Sequence, residues 1–155
     1  MRRDALKGSS ARRPGAALAV DAAVVLLAGG VSAWIAVIGD GDGLQVTGWH
    51  RLASGYLPYA VIVAVLGATA PRAWSAVVRT AGSQLLMVWG YYTWGPMITF
   101  ERTPTQATHY AQQWALLALT AVPLAGLASY AATWLLRRWT TTVRPLTGTE
   151  PARTP

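Results

Sequence analysis

The sequence predicts an all-α integral membrane protein, a bundle of four transmembrane helices with both termini in the cytoplasm. Three observations support this fold class: long apolar runs, a low content of charged residues, and a one-sided distribution of arginine and lysine. Of the 155 residues, 53% are hydrophobic and 12% are charged, whereas a typical soluble domain carries about 25% charged residues. So few charges cannot cover a water-exposed surface, and lipid is the solvent that such a composition fits.

The apolar runs define the helices. A transmembrane helix needs about 20 predominantly apolar residues, and four segments meet or approach this length. The predicted spans are 16–38, 56–74, 81–100 and 114–136. Pro58 fits the first turn of the second span, because its missing N–H would be unpaired there in any case. Pro123 removes a backbone hydrogen bond inside the fourth span, which predicts a kink.

These spans form one transmembrane domain over residues 15–139, with a tail on either side. Residues 1–14 are polar and basic, and residues 140–155 are rich in Thr, Pro, Gly and Arg. Neither composition buries enough apolar surface to fold, so both tails are expected to be disordered. The intervening segments 39–55, 71–80 and 101–113 are expected to be loops.

The orientation follows from the basic residues. Eleven of the 13 Lys and Arg residues precede the first span, follow the fourth span or fall in the loop 71–80, and these segments share one side if there are four spans. The other side holds only Arg51 and Arg102. Basic residues accumulate in cytoplasmic segments, so both termini are predicted to face the cytoplasm. The net charge of +7 is then a topology signal, and we expect no nucleic-acid partner.

Tryptophan residues support the same layout. Trp and Tyr favour the headgroup depth of a bilayer, and every Trp except Trp89 falls near an end of a predicted span. A competing interpretation treats the first span as a cleaved signal peptide, because Val31-Ser32-Ala33 resembles a small-residue cleavage site. Asp21 inside the apolar stretch weakens that interpretation.

Small residues recur at every fourth position in three of the spans. Such stripes allow helix backbones to approach closely in lipid, so the bundle is expected to be tight. A leucine at Ala125 or Ser129 is therefore expected to destabilise it. The stripes consist of Ala28, Ser32 and Ala36 in the first span; Ala60, Ala64 and Ala68 in the second; and Ala121, Ala125, Ser129 and Thr133 in the fourth.

Asp21 is the acid that lies within a hydrophobic run, and a carboxylate inside a membrane is a functional candidate by default. A proton-coupled transporter would use such a group. The alternative is that the apolar run from Ala22 to Ile38 spans the membrane alone. Asp21 would then lie at headgroup depth, where water and the helix N-terminus stabilise its charge. The sequence favours this shallow, solvated position.

The third span carries an unusual density of polar and aromatic residues. Gln84, Val88, Tyr91 and Gly95 follow helical spacing and share one face. Polar groups at this depth usually donate hydrogen bonds to a neighbouring helix, which is the favoured interpretation. A ligand pocket lined by aromatic rings is the alternative. Asp21, Gln84 and Tyr91 are thus the candidates for a polar path through the bundle.

Other motifs are weak. Asp40-Gly41-Asp42-Gly43 resembles part of a calcium loop but lacks the further ligands, and a tight turn explains it. His50 and His109 in separate loops fix no metal geometry. The chain has no cysteine, which excludes thiolate chemistry. We expect no catalytic residues, no metal and no cofactor.

Three function classes remain open. The first, which the sequence favours, is a non-catalytic or accessory subunit of a membrane complex. The second is a small oligomeric transporter or channel, coupled to protons through Asp21. The third is an intramembrane enzyme, which would need paired acids or histidines at one depth. The partners expected are the lipid bilayer and either another membrane protein or further copies of the chain. The Gly- and Ala-rich composition resembles that of many small multi-pass proteins in the cell (inner) membrane of bacteria with GC-rich genomes, and it implies no functional residue.

Overall fold

The computed structural model describes residues 14–40, 55–98 and 104–143, and in these ranges the chain is helical with no strand. This part of the chain confirms the all-α prediction. The helices are α1 (Pro14–Asp40), α2 (Leu57–Ala68), α3 (Ala73–Ile98), α4 (Pro104–Leu119) and α5 (Ala121–Val143). Two helical stretches, Gly15–Gly39 and Ala107–Thr141, are long and apolar enough to cross a membrane.

Two helices begin two or more turns before the predicted spans. α3 begins at Ala73 and α4 at Pro104, so most of the two segments expected to be loops is helical. α5 continues to Val143, into the predicted C-terminal tail. Hydropathy marks only the apolar middle of a helix, and helices extend beyond it into polar sequence where the backbone hydrogen bonds can continue. The rest of the tails and most of the loop 39–55 lie outside the described residues.

α2 is shorter than the predicted span 56–74, because one proline lies in its first turn and another follows shortly after its last residue. Pro58 lies in its first turn, and the helix ends at Ala68, before Thr69. The Thr69 hydroxyl donates to the carbonyl of Val65 at 2.7 Å. Pro71 then follows, and a proline disfavours helical backbone in the residue before it. The 12 residues of α2 extend about 18 Å at 1.5 Å per residue, less than the thickness of a bilayer core.

The fourth span contains a helix interruption close to Pro123, where the sequence predicts a kink. The helix is interrupted at Thr120, between α4 and α5. The N–H of Thr120 bonds to the carbonyl of Leu117 at 3.2 Å, a tighter i→i−3 turn. Pro123 lacks an N–H, and its ring conflicts with the carbonyl of Leu119 four residues earlier. The break therefore lies three residues before the proline that causes it.

α1 and α3 run parallel and make the most extensive helix contact in the described structure. Asp21 near the start of α1 meets Arg79 near the start of α3. Val37 near the end of α1 packs against Tyr91 near the end of α3. Midway, a Cβ on Gly29 would lie 2.7 Å from a carbonyl oxygen of α3, so the two backbones approach closely. Ser32 and Ala36 of the first small-residue stripe are buried, and Ala36 packs with Tyr91 of α3, which agrees with the prediction for this stripe.

The connected helices α4 and α5 run antiparallel to α3. Thr80 in the first half of α3 meets Gly126, where a Cβ would lie 2.6 Å from the threonine Cγ2. Further along α3, Val88 belongs to a cluster against which Ala111 of α4 packs. The break at Thr120 lies between these two contacts, so each half of the kinked pair packs on a different part of α3.

α2 packs parallel to α4 and α5. Tyr56, just before α2, contacts the ring of Trp114 in α4 with centroids 5.6 Å apart. Gly67 near the end of α2 abuts the backbone of Gly126, and there is no room for a Cβ on Gly67. The helical segments in the described ranges thus alternate in direction: α1 and α3 run one way, and α2 and the α4–α5 pair run the other.

Candidate functional site

A buried ion pair joins the beginnings of α1 and α3. Nε of Arg79 donates to Oδ1 of Asp21 at 2.6 Å, and the Ser75 hydroxyl donates to the same oxygen at 2.7 Å. Asp21 is only 3% exposed, and Arg79 is also buried. Ser75 and Arg79 are four residues apart on α3, so the helix presents both donors on one face.

This geometry corrects the expected position of Asp21. The sequence favoured a shallow carboxylate that water would stabilise, whereas the structure buries Asp21 against α3. The expected solvation by water is wrong, because the segment 71–80, which the sequence predicts to be a loop, is mostly helical and covers the carboxylate. The helical part of this segment supplies a positive charge and a hydroxyl, and these replace water as partners of the carboxylate. Asp21 is therefore held in an ion pair with Arg79.

The hydroxyl groups that follow along the α1–α3 interface bond to their own helices. Ser32 donates to the carbonyl of Ala28 at 2.7 Å, Thr80 to that of Ala76 at 2.7 Å, and Ser83 to that of Thr80 at 3.0 Å. Such i−3 and i−4 bonds satisfy a buried hydroxyl without a partner helix. These residues are accordingly structural.

Gln84 differs from these hydroxyl residues. Its side chain is only 4% exposed, yet its amide nitrogen has no hydrogen-bond partner among the described residues. Buried polar groups are hydrogen-bonded in the great majority of cases, so each exception calls for an explanation. The expectation that Gln84 bonds to a neighbouring helix is therefore wrong for this nitrogen.

Gln84 lies in the wall of a cavity of about 800 Å³ between α2, α3, α4 and α5. Tyr91, the second candidate on α3, lines the same cavity, and Val88 lies between them as the helical spacing predicts. Asp21 does not reach it. The structure thus brings together two of the three candidate residues and separates the third.

Aromatic rings form much of the remaining wall. Tyr91 and Tyr92 meet edge to face with centroids 4.9 Å apart, and Tyr56 packs on Trp114 across from them. Tyr59 of α2 completes this side of the cavity. Such a lining offers flat apolar surfaces together with hydroxyl groups, which suits a flat and mostly apolar molecule.

The small-residue stripes of α2 and α5 line one side of the cavity instead of closing it. Ala60, Ala64 and Ala125 are exposed and belong to the cavity wall. The two helices touch farther on, at Gly67 and Gly126. The expected loss of stability on placing leucine at Ala125 is therefore not supported by this packing, because the new side chain would enter the cavity.

Of the two histidines considered as metal ligands, His109 is the one that lies in the described part of the chain. His109 lies in α4, with a ring nitrogen 3.0 Å from the Gln113 side-chain nitrogen. In the described ranges no three His, Asp or Glu side chains come together. His50, Asp42 and Glu101 lie outside these ranges, as do residues 41–43 of the expected turn.

From the sequence, the cavity was predicted only as the alternative to helix packing, and the ion pair was not predicted. Sequence did contain a signal for the pair: one acid and one base each lie within or beside a hydrophobic segment, and Ser75 precedes Arg79 by one helical turn. The fold and site together define an all-helical protein with a buried ion pair and an aromatic cavity. No protein-family model, curated protein or solved structure matches the chain.

Proposed function

We propose that the chain is a four-pass protein of the cell membrane, with cytoplasmic termini, that serves as a non-catalytic subunit of a larger membrane complex. The observation that supports this most strongly is the distribution of polarity. Charged and polar side chains are buried between helices, while large apolar side chains face outward. Lipid and the helices of other membrane proteins are the surroundings that such a surface fits.

The outward-facing residues are large and numerous. Leu27 in α1 is 70% exposed, and Trp139 in α5 is 76% exposed. The other exposed side chains on these two helices include Leu18, Val20, Leu26, Val31, Trp34, Leu124, Leu135 and Leu136. A monomeric soluble protein rarely presents contiguous apolar surface on this scale.

The charges at the two ends of the bundle support the proposed orientation. Because α5 is antiparallel to α3, Arg72 before α3 and the pair Arg137 and Arg138 in α5 lie at the same end. With Arg79, they are the basic residues of the described ranges. Arg79 is buried in the pair with Asp21, and leaving it out changes the distribution of basic residues from eleven against two to ten against two. The positive-inside rule then places this end in the cytoplasm.

Aromatic residues fit the same frame. Trp74 at the start of α3 and Trp134 and Trp139 near the end of α5 lie at the proposed cytoplasmic end. Arg138 lies over the ring of Trp134, 4.1 Å from its centroid. A cation held on an interfacial indole is the arrangement expected at headgroup depth, where both groups reach water.

Retention of α1 is part of this proposal. Ser32 and Ala33, the residues of the apparent cleavage site, are fully buried against α3 in the middle of the α1–α3 contact. Removing the sequence up to this point would also remove Asp21 and leave Arg79 buried without its partner. The packing therefore favours an uncleaved first helix.

Purification from native membranes in a mild detergent tests the subunit proposal. We expect a second membrane protein to co-purify in a fixed ratio, identified by mass spectrometry and resistant to a salt wash. The variant Asp21→Asn, in which the ion pair with Arg79 is broken, serves as a control. It shows whether binding of the second protein depends on the folded bundle. Recovery of the chain alone, as a monomer, would contradict the proposal.

A small transporter is the second candidate, and the cavity is the observation that favours it. Gln84 and Tyr91 line one open space, whereas the Asp21 carboxylate is held by Arg79. Transport would then proceed through the cavity without a proton carried on Asp21. Recovery of a homo-oligomer by chemical cross-linking, with no second protein present, would favour this candidate.

A further inference from the structure

We propose that the cavity between α2, α3 and the α4–α5 pair binds a lipid-soluble molecule with a carbonyl-bearing flat ring and an apolar tail, the chemistry of a membrane quinone. The Gln84 side-chain amide donates a hydrogen bond to the carbonyl oxygen. The inference rests on the membrane location in the proposed function and adds a ligand class to it.

The first step is the unpaired amide. The Gln84 nitrogen is a donor with no partner among the described residues, and an amide N–H requires an acceptor. A hydrocarbon chain has no acceptor, so a lipid acyl chain in the cavity would leave the Gln84 nitrogen without a hydrogen bond. A ligand carbonyl supplies the acceptor that the protein lacks.

The second step is depth. Gln84 is eleven residues into α3, which is about 16 Å from its start at 1.5 Å per residue. In a hydrocarbon core of about 30 Å this is close to the middle of the membrane. An amide there has no ready access to bulk water, and a ligand reaching it must itself be soluble in lipid.

The third step is shape. The rings of Tyr59, Tyr91, Tyr92 and Trp114 line the cavity, and aromatic side chains pack favourably against another flat ring. The volume of about 800 Å³ exceeds what a single ring fills. Exposed alanines at positions 60, 64 and 125 leave one side of the cavity open between α2 and α5, which gives an apolar tail a path into lipid.

Direct binding to the purified full-length chain in detergent micelles tests the proposal. The probes are a benzoquinone with a decyl tail and decylbenzene, which retains the ring and the tail but lacks the carbonyls. Saturable quenching of tryptophan fluorescence and the shift in thermal unfolding temperature report binding. We expect the quinone to bind at least tenfold more tightly than decylbenzene.

The decisive variant is Gln84→Met, which keeps the length of the side chain and removes the donor. We expect it to bind the quinone about tenfold more weakly, the effect of one buried hydrogen bond, and decylbenzene unchanged. Gln112→Met, at an exposed position outside this cavity, is the matched control and should bind both probes like the natural chain. Without ligand, Gln84→Met should unfold at an equal or higher temperature, because it removes an unpaired buried amide.

Four results would overturn the inference. Equal affinity for the two probes would make the cavity a site for hydrocarbon tails. Equal quinone affinity of Gln84→Met would remove the amide from recognition, and a lower unfolding temperature of that variant would show that the amide has a protein partner. Cross-links from the cavity to a co-purifying helix would assign the space to a protein. Quinone binding in micelles depends neither on the orientation of the chain in the membrane nor on a partner protein. A failure to bind the quinone is therefore distinguished from a failure to co-purify a partner.

Discussion

Asp21 and Arg79 illustrate how a charged residue is accommodated inside an apolar bundle. Either charge alone would be costly in a low-dielectric interior. In the pair, Arg79 and the Ser75 hydroxyl each donate a hydrogen bond to the same carboxylate oxygen of Asp21. The net stabilisation from such a pair is small, but removing one member leaves the other buried and unpaired. The pair therefore constrains how α1 and α3 associate.

Asp21→Asn should destabilise the bundle, by about 3–5 kcal/mol if the whole penalty of a broken buried pair applies. Thermal or denaturant unfolding of the purified protein in detergent measures the effect. Arg137→Gln, which removes an exposed charge on α5 away from the pair, should change the stability by less than about 0.5 kcal/mol.

The double variant Asp21→Asn with Arg79→Gln should recover much of the loss, because no unpaired charge remains. Equal stability of Asp21→Asn and the natural chain would show that water reaches the carboxylate, as the sequence alone suggested. Additive losses in the double variant would show that the two side chains do not act as a pair.

For single residues, the sequence identified Asp21, Gln84 and Tyr91 as unusual, but it did not identify the groups that they interact with. Composition shows that a polar residue in an apolar run needs an explanation. Which group supplies it depends on the register between two helices 50 or more residues apart in sequence, and a single sequence contains no measure of that register. Gln84 and Tyr91 were correctly placed on one face because helical spacing is local.

Among the helices, the α1–α3 contact depends on a close approach at Gly29. A Cβ there would lie 2.7 Å from the Ser83 carbonyl oxygen and 2.8 Å from Cβ of Leu86, whereas a Cβ on Gly30 would meet nothing within 4 Å. Gly29→Ala should therefore cost about 1–3 kcal/mol through overpacking. Gly30→Ala should be neutral or stabilising by up to about 1 kcal/mol, since alanine is the better helix former.

The two alanine variants are neighbours in one helix, so their comparison in a single unfolding assay removes most differences in expression and detergent. A larger loss of stability for Gly30→Ala than for Gly29→Ala would mean that α1 presents a different face to α3.

The cavity between α2 and α5 leads to a different expectation for Ala125. Ala125→Leu should leave the stability within about 0.5 kcal/mol of the natural chain, because the side chain enters open space, and it should weaken quinone binding. Ala128→Leu, at an exposed position of the same helix that does not line the cavity, should change neither property. Thermal unfolding with and without the quinone probe measures both effects.

Helix existence was easier to predict than helix ends. A helix interruption close to Pro123 and the burial of Ser32 and Ala36 in the α1 stripe follow from local chemistry, and both are observed. The start of α3 at Ala73 does not follow from hydropathy, because Arg79 makes its first turns look like loop. A buried partner on another helix offsets that polarity, and such a partner is a property of the folded chain.

For the molecule as a whole, the alternation in helix direction is compatible with four membrane crossings, and orientation is the property to test. At a fusion point after Arg144 we expect a reporter that works in the cytoplasm to be active. At an insertion point after Glu101 we expect a reporter that works outside the cytoplasm to be active. Green fluorescent protein and alkaline phosphatase fusions report the two sides. Phosphatase activity of the Arg144 fusion would contradict the four-pass arrangement.

The parallel pairing of α1 with α3 also has a consequence for synthesis of the protein. Arg79 follows Asp21 by 58 residues, which at about 5–20 residues per second takes several seconds to translate. A lone charged residue costs about 2.5–3.5 kcal/mol at the centre of an inserting helix and less towards its ends, and Asp21 is the eighth residue of α1. In the proposed four-pass arrangement, α1 therefore enters the bilayer carrying an uncompensated acid, and it reaches its final depth only when α3 emerges. Completion of the third helix, and not insertion of the first, is then the step that commits the nascent chain to its fold.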